Sequence, residues 1–153
     1  MAKKSAGILV YRIVQSGLQL LLVHPGGPFW ARKDAGAWSI PKGEFGDDEE
    51  PLLAAQREVQ EELGVLPEGQ YIELSPIKQK SGKQVYAWAV EADIDTAHIV
   101  SNTFSIEWPP GSGNTKEFPE IDKAEWFTLS EVVEKINPAQ YAFIAELQTL
   151  IAK

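Results

Sequence analysis

The chain has 153 residues, 44% hydrophobic and 24% charged, with 22 Asp+Glu against 14 Lys+Arg for a net charge of −8, and no cysteine. Such a length and composition fit one globular domain over residues 1–153 and exclude disordered, collagen-like and coiled-coil chains. Lack of cysteine removes disulfides, thiolate nucleophiles and iron–sulfur centres, and the acidic balance leaves no basis for broad nucleic-acid binding, so no stable nucleic-acid partner is expected.

The start, Met1-Ala2-Lys3-Lys4-Ser5, is basic but leads into only a short apolar run. That run is far below the roughly 20 residues of a membrane helix, and a cytoplasmic protein with no membrane partner is expected. Residues 5–14 read as a strand, Ser16-Gly17 as a turn and 18–24 as the returning strand. A Pro/Gly-rich loop over 24–36 follows, holding Phe29, Trp30, Arg32 and Lys33. The spacing predicts a short strand over 37–40 ending at Pro41, then an acidic Gly-containing loop over 42–49. Pro51 suits a first helical turn and Gly64 the position past a helix end, with Leu52, Ala55, Val59 and Leu63 at helical spacing between them. Strands are expected over 71–79 and 83–92 around Ser81-Gly82, over 98–108, and over 125–129, with 109–119 as a long loop. Ser130 is the expected cap of one helical turn, and Asn137-Pro138 opens a last helix to Ile151 whose apolar face is Ile144, Leu147 and Ile151. Strands joined by hairpins and interrupted by helices point to an α+β fold, a mixed sheet with helices packed on it.

Glu58, Glu61 and Glu62 stand at i, i+3 and i+4 of the 51–63 helix, so they share one face. At 100° per residue that face is centred about 110° from the apolar stripe, on a flank beside the core. Carboxylates this close repel one another. A hard cation such as Mg²⁺ or Mn²⁺ among them explains their grouping, as does a solvated acidic face, and helix geometry alone does not choose between the two.

The surrounding residues choose. Gly43, five residues, Glu49, seven residues, then Arg57-Glu58-Val59-Gln60-Glu61-Glu62-Leu63-Gly64-Val65 resembles the signature of the Nudix hydrolase family, the MutT-like pyrophosphohydrolases, at every specified position. The resemblance implies an α/β/α sandwich and hydrolysis of a diphosphate bond with Mg²⁺ or Mn²⁺ as cofactor. It further implies that Glu58, Glu61 and Glu62 are catalytic metal ligands, with Gly43 offering its carbonyl to the same ions. Arg57 resembles the family's orienting arginine, with a plain surface pair to Glu61 as the other option, and Glu49 is expected to be structural at the helix entrance. In this family the general base varies between a motif glutamate and one on a later loop. Glu120 is the favoured loop ligand or base, with Glu107 and then Glu117 behind it.

Trp38-Ser39-Ile40-Pro41-Lys42-Gly43-Glu44 is similar to the segment preceding the motif in family members acting on nucleotides. Lys42 is therefore a candidate phosphate contact, and Trp108, Trp30 and Tyr86 are candidate base-stacking rings, with Phe29 beside them. Arg32 and Lys33 are placed to meet distal phosphates, and His24 reads as structural. The expected partner is a small-molecule nucleotide, with dinucleoside polyphosphates the lead class, on a monomer or dimer. Alternatives are nucleoside triphosphates, RNA 5′ ends or a non-catalytic nucleotide-binding module. An isoprenoid diphosphate isomerase, which shares the fold, normally needs a catalytic cysteine that this chain lacks.

Overall fold

The first apolar run supplies side chains to both faces of a sheet, and the fold is built around it. A computed structural model of the chain describes residues 3–15 and 17–151, with His98 as backbone alone. Met1 and Ala2 of the basic start and Ser16 of the expected turn lie outside the described residues.

Strand β1 (Lys4–Val14) pairs on one side with two strands. Its first half runs antiparallel to β3 (Lys42–Phe45), and its last residues run antiparallel to β2 (Gly17–Pro25). Between them Ile8 N–H donates to the Pro41 carbonyl at 3.1 Å. Gly7 permits this crossing, since a Cβ there would fall 2.5 Å from both Lys42 Cβ and the Pro41 oxygen. On its other side β1 lies parallel to β5 (Gln84–Glu91), which pairs with β4 (Ile72–Lys78), while β8 (Ile121–Thr128) adds antiparallel to β2. The resulting order, β4-β5-β1-β2-β8 with β3 beside β1, is a mixed sheet. Strands β6 (Thr103–Glu107) and β7 (Thr115–Pro119) form a separate antiparallel hairpin.

Alternation sends Ala6, Ile8 and Val10 to one face of the sheet and Leu9 and Tyr11 to the other. The first face is covered by α1 (Pro51–Leu63) through Ala54, Ala55, Val59 and Leu63. The second is covered by α2 (Leu129–Lys135) and α3 (Tyr141–Ile151) through Val132, Phe143, Ile144 and Leu147. Burial on both faces explains why β1 reads as a continuous apolar run. The α+β fold with helices on both faces of a mixed sheet is the one expected. Among the described residues no helix is long and apolar enough to cross a membrane.

Four local expectations are corrected. The segment 37–40 forms only single bridges, Val23 with Ser39 and Trp38 with Ile136, and the strand lies after Pro41, where β1 has a free edge. Residues 98–108 are not one strand: Thr96–His98 is a 3₁₀ turn capped by Asp95, and the ladder begins at Thr103. Its partner is β7, inside the segment expected as loop, so the true connection is 108–114. The cap of α2 is Thr128, in a reciprocal capping box with Glu131, rather than Ser130. Pro138–Gln140 is a 3₁₀ turn that leads directly into α3.

Phe143 is fully buried between α3 and the sheet. Phe143→Ala should lower the unfolding free energy by about 3–5 kcal/mol in urea titration, by loss of transfer energy and a residual cavity; a loss under about 1 kcal/mol would contradict this packing.

Candidate active site

The site begins where β3 meets α1. Pro51 opens the helix without needing an N–H, and Gly64, at φ 76°, closes it in the left-handed conformation with its N–H on the Gln60 carbonyl. The Ala54, Ala55, Val59 and Leu63 stripe is turned into the sheet, which leaves Glu58, Glu61 and Glu62 on the flank facing β3 and the turn after β7. A Cβ on Gly43 would lie 1.9 Å from Glu58 Oε2, so the Glu58 carboxyl group rests directly on the β3 backbone. One residue earlier, Lys42 N–H donates to Glu62 Oε1 at 3.1 Å.

Arg57 gathers the acidic side chains. It donates from Nε and Nη2 to the two oxygens of Glu49 at 3.1 and 3.0 Å, and from Nη1 to Glu58 at 2.8 Å and Glu61 at 3.5 Å. The fork is bidentate toward Glu49, so it ties the entrance loop to the helix as well as pairing along it.

Glu62, Glu120 and Lys42 line a cleft of about 170 Å³ together with Val23, Pro25, Ser39, Ile40 and Ile121. Burial pushes the Glu62 carboxyl up to about 8, against the downward pull of the Lys42 N–H and ammonium, and Glu120 and Glu58 push it further. Burial also raises Glu58, helped by Glu61 and Glu120 and opposed by Arg57, and it raises Glu120, with Glu61 adding to it. The Lys42 ammonium is shifted down by burial and by Lys83, against the pull of Glu62, Glu44 and Glu58. The four carboxylates therefore act on one another, and Arg57 and Lys42 are the cations that act on them. Arg57 is shared with Glu49.

A divalent cation fits this charge deficit, and Glu58, Glu61, Glu62, Glu120 and the Gly43 carbonyl are the oxygen donors on hand. Among the described residues no three acidic or histidine side chains converge closely enough to hold an ion as they stand. Ligation requires the glutamates to turn toward one another, which their mutual repulsion opposes until a cation is present.

The other expected contacts lie outside the cleft. Trp108 meets Phe29 edge to face at 6.1 Å, and Trp30, 39% exposed, carries Lys33 Nζ 5.0 Å from its ring centre. Tyr86 is half-buried on the α1 face, edge to face with Phe45 at 5.9 Å. Glu107 accepts from Gly111 and Gly113 N–H groups at 2.8 and 3.2 Å, closing the β6–β7 connection, and Glu117 is exposed on β7 opposite Ser105. Two arms leave the cleft rim: the loop after Pro25, and the hairpin that ends at Pro119. They touch at Gly26 and Gly27, where a Cβ would meet the Pro119 oxygen at 2.0 Å and the Phe104 ring at 2.9 Å. Pro25, Ser39 and Ile121 were not singled out from sequence. They reach the cleft through the β2–β8 pairing and one bridge, for which the local sequence carries no signal.

A larger cavity, about 560 Å³, lies on the α2 side of the β2–β8 edge, lined by His24, Arg32, Lys33, Asp122, Lys123 and Lys135 among others. Two ion pairs cross its lining, Asp34 with Lys135 and Asp122 with His24. The carboxylate chemistry, and not cavity size, marks the smaller cleft as the site.

Compared with known families, residues 3–147 match one described as the NUDIX domain. A C. elegans structure described as an Ap4A hydrolase binary complex superposes with TM-score 0.69 at 19% identity, covering 97% of this chain and 98% of that one. The NUDIX domain of Shewanella oneidensis NrtR, complexed with ADP ribose, superposes with TM-score 0.66 at 14% identity, over 98% of this chain and 89% of that one. An RNA pyrophosphohydrolase of Stenotrophomonas maltophilia is 44% identical over 50 residues, 32% of this chain, and the match spans only 24% of that relative's length.

The raised glutamates make stability depend on pH. Glu62 holds its proton up to about 8 in the folded chain against 4.5 ordinarily, so the folded state binds more protons across that window and stability falls as pH rises through it. With EDTA present, the urea midpoint should drop between about pH 5 and pH 9, and Glu62→Gln should flatten the fall. An equal slope in the variant would remove Glu62 as its source.

Proposed function

The chain belongs to the NUDIX domain family, and from that membership we propose that it is a pyrophosphohydrolase that cleaves a nucleoside diphosphate linked to another moiety. The observation that carries this proposal is the cluster of Glu58, Glu61, Glu62 and Glu120, mutually repelling, partly desolvated and set against the Gly43 backbone. A bound Mg²⁺ or Mn²⁺ would neutralise phosphate charge, polarise a phosphoryl oxygen and lower the pKa of water. Arg57 holds Glu58 and Glu61 in place through its fork, anchored on Glu49. Glu120, which borders the cleft and has a raised proton affinity, is suited to take the proton of the attacking water or to complete the ligand set. Lys42 offers its ammonium to a phosphate oxygen, where the bond to an anion would restore the charge that burial disfavours.

Dinucleoside polyphosphates are the lead substrate class. The exposed Phe29 and the half-buried Trp108 stand on the two arms that leave the cleft rim, and rings there suit a nucleobase. The shared fold with an Ap4A hydrolase is consistent with that choice. The short stretch of identity with an RNA pyrophosphohydrolase favours a second reading, 5′-triphosphorylated RNA, against which the net charge of −8 weighs. Nucleoside triphosphates remain the third class. A cytoplasmic setting suits all three substrates.

Diadenosine tetraphosphate, ATP, ADP-ribose and a 5′-triphosphorylated RNA should be compared with Mg²⁺ and with Mn²⁺, and products separated by ion exchange. We expect diadenosine tetraphosphate to be turned over fastest, giving ATP and AMP. Glu61→Gln and Glu62→Gln should each lower turnover about 100-fold or more while the chain stays folded. Full activity in both variants would overturn the metal-site assignment, and inactivity of the parent chain on all four would overturn the substrate class.

A further inference from the structure

His24 has a polar ring buried to 5% exposure at the end of β2, edge-on to Trp38 at 5.2 Å. Both ring nitrogens are used. Nε2 lies 2.6 Å from the Lys33 carbonyl oxygen and Nδ1 lies 2.8 Å from Asp122 Oδ1, both within hydrogen-bond distance. Both ring nitrogens are thus engaged by protein groups, and neither is open to a metal or a substrate. The carbonyl side is anchored: the neighbouring Asp34 accepts from Trp38 Nε1 at 2.8 Å and pairs with Lys135 of α2.

The other side reaches into an irregularity of the sheet. Along β2 and β8, His24 stands opposite Lys123 and Pro25 opposite Ile121, so Asp122 is an extra residue with no cross-strand partner. Glu120 and Ile121 line the cleft on the far side of this bulge. Because side chains alternate with period two, losing the bulge would shift the strand start by one residue and turn Glu120 away from Lys42 and Glu62. The Glu120 peptide is itself bonded, its carbonyl accepting from Gly26 N–H and its N–H donating to the Asn102 carbonyl, both at 2.8 Å. Neither bond involves Asp122, whose bonded partner is His24.

We propose that His24 is a positioning residue for Glu120: its bond to Asp122 holds the β8 bulge in the register that presents Glu120 to the cleft. The proposal rests on the role given to Glu120 above, and the experiment separates the two. An amide nitrogen occupies the place of Nδ1 in asparagine and of Nε2 in glutamine. His24→Asn therefore keeps the Asp122 bond, whereas His24→Gln keeps only the Lys33 bond. Turnover of the substrate found in the panel and urea unfolding are measured for both, for Asp122→Ala, for Glu120→Gln, and for His24→Gln combined with Glu120→Gln.

The expected result is a loss of about 10-fold or more in kcat for His24→Gln and for Asp122→Ala, with His24→Asn within about threefold of the parent. The double variant should be no slower than Glu120→Gln alone, because the histidine acts through the glutamate. Equal losses in His24→Asn and His24→Gln that follow their stabilities would overturn the proposal, as would losses that multiply in the double variant. If Glu120→Gln is impaired while Asp122→Ala and His24→Gln are not, the positioning role alone falls. If Glu120→Gln turns over like the parent, the Glu120 assignment falls and takes this role with it.

Discussion

Glu58 lies against the β3 backbone only because position 43 has no side chain, and the site depends on that approach. The approach in turn requires β3 to sit on the edge of β1, which Gly7 makes possible by letting Pro41 and Lys42 cross close to the strand. Two glycines in different elements thus bring a loop-like segment to within hydrogen-bond distance of a helix flank. Once there, Lys42 N–H caps Glu62, and Arg57 pins Glu58 and Glu61 to the entrance glutamate. The hydrophobic stripe of α1 supplies the force that holds the helix down, and the glycines set how near it comes.

That arrangement is unfavourable by itself. Four carboxylates share a partly desolvated region, and three of them have their proton affinity raised by burial first and by one another second. A protein tolerates such a cluster when something binds there that relieves it. The net charge of −8 points the same way. Under the proposed function, the repulsion among the glutamates and the repulsion an acidic chain exerts on a phosphate-bearing substrate have one remedy, a cation between them.

The parts of the fold legible in the sequence are those whose causes are local. Pro51, the Ala55/Val59/Leu63 spacing and Gly64 define α1 to the residue, because a helix is bounded by its own caps. The apolar run of β1 is legible because it is buried on both faces. Strand β3 was not, since Lys-Gly-Glu-Phe has no alternation and pairs only because β1 leaves an edge free. Strand β7 escaped for a related reason: Thr115, Lys116 and Glu117 are exposed, and only Phe118 packs, tilted against Phe104 at 6.2 Å. In the site, the spacing of the glutamates and the gap back to Gly43 were readable as a pattern. The partners that shape the cleft, Pro25, Ser39 and Ile121, come from pairings across long stretches of chain and leave no trace in local composition.

The same distinction governs how Glu120 reaches the cleft. The helical glutamates are held by the rigid period of α1, so their relative positions are fixed once the helix forms. Glu120 belongs to a turn between a hairpin and a strand, and its side of the sheet is decided by register, which a single residue can reverse. Sheets settle such ambiguities with side chains that favour one register, and a buried ring bonded at both nitrogens is a stiff way to do it. The ring sits in the aromatic layer of Trp38 and Phe127, on the opposite side of the sheet from the glutamates. A residue on the other face of the sheet from the glutamates therefore bears on the cleft through one cross-strand irregularity. The packing of α2 and the loop carrying Lys33 and Asp34 become part of the site's support, although neither lines the cleft.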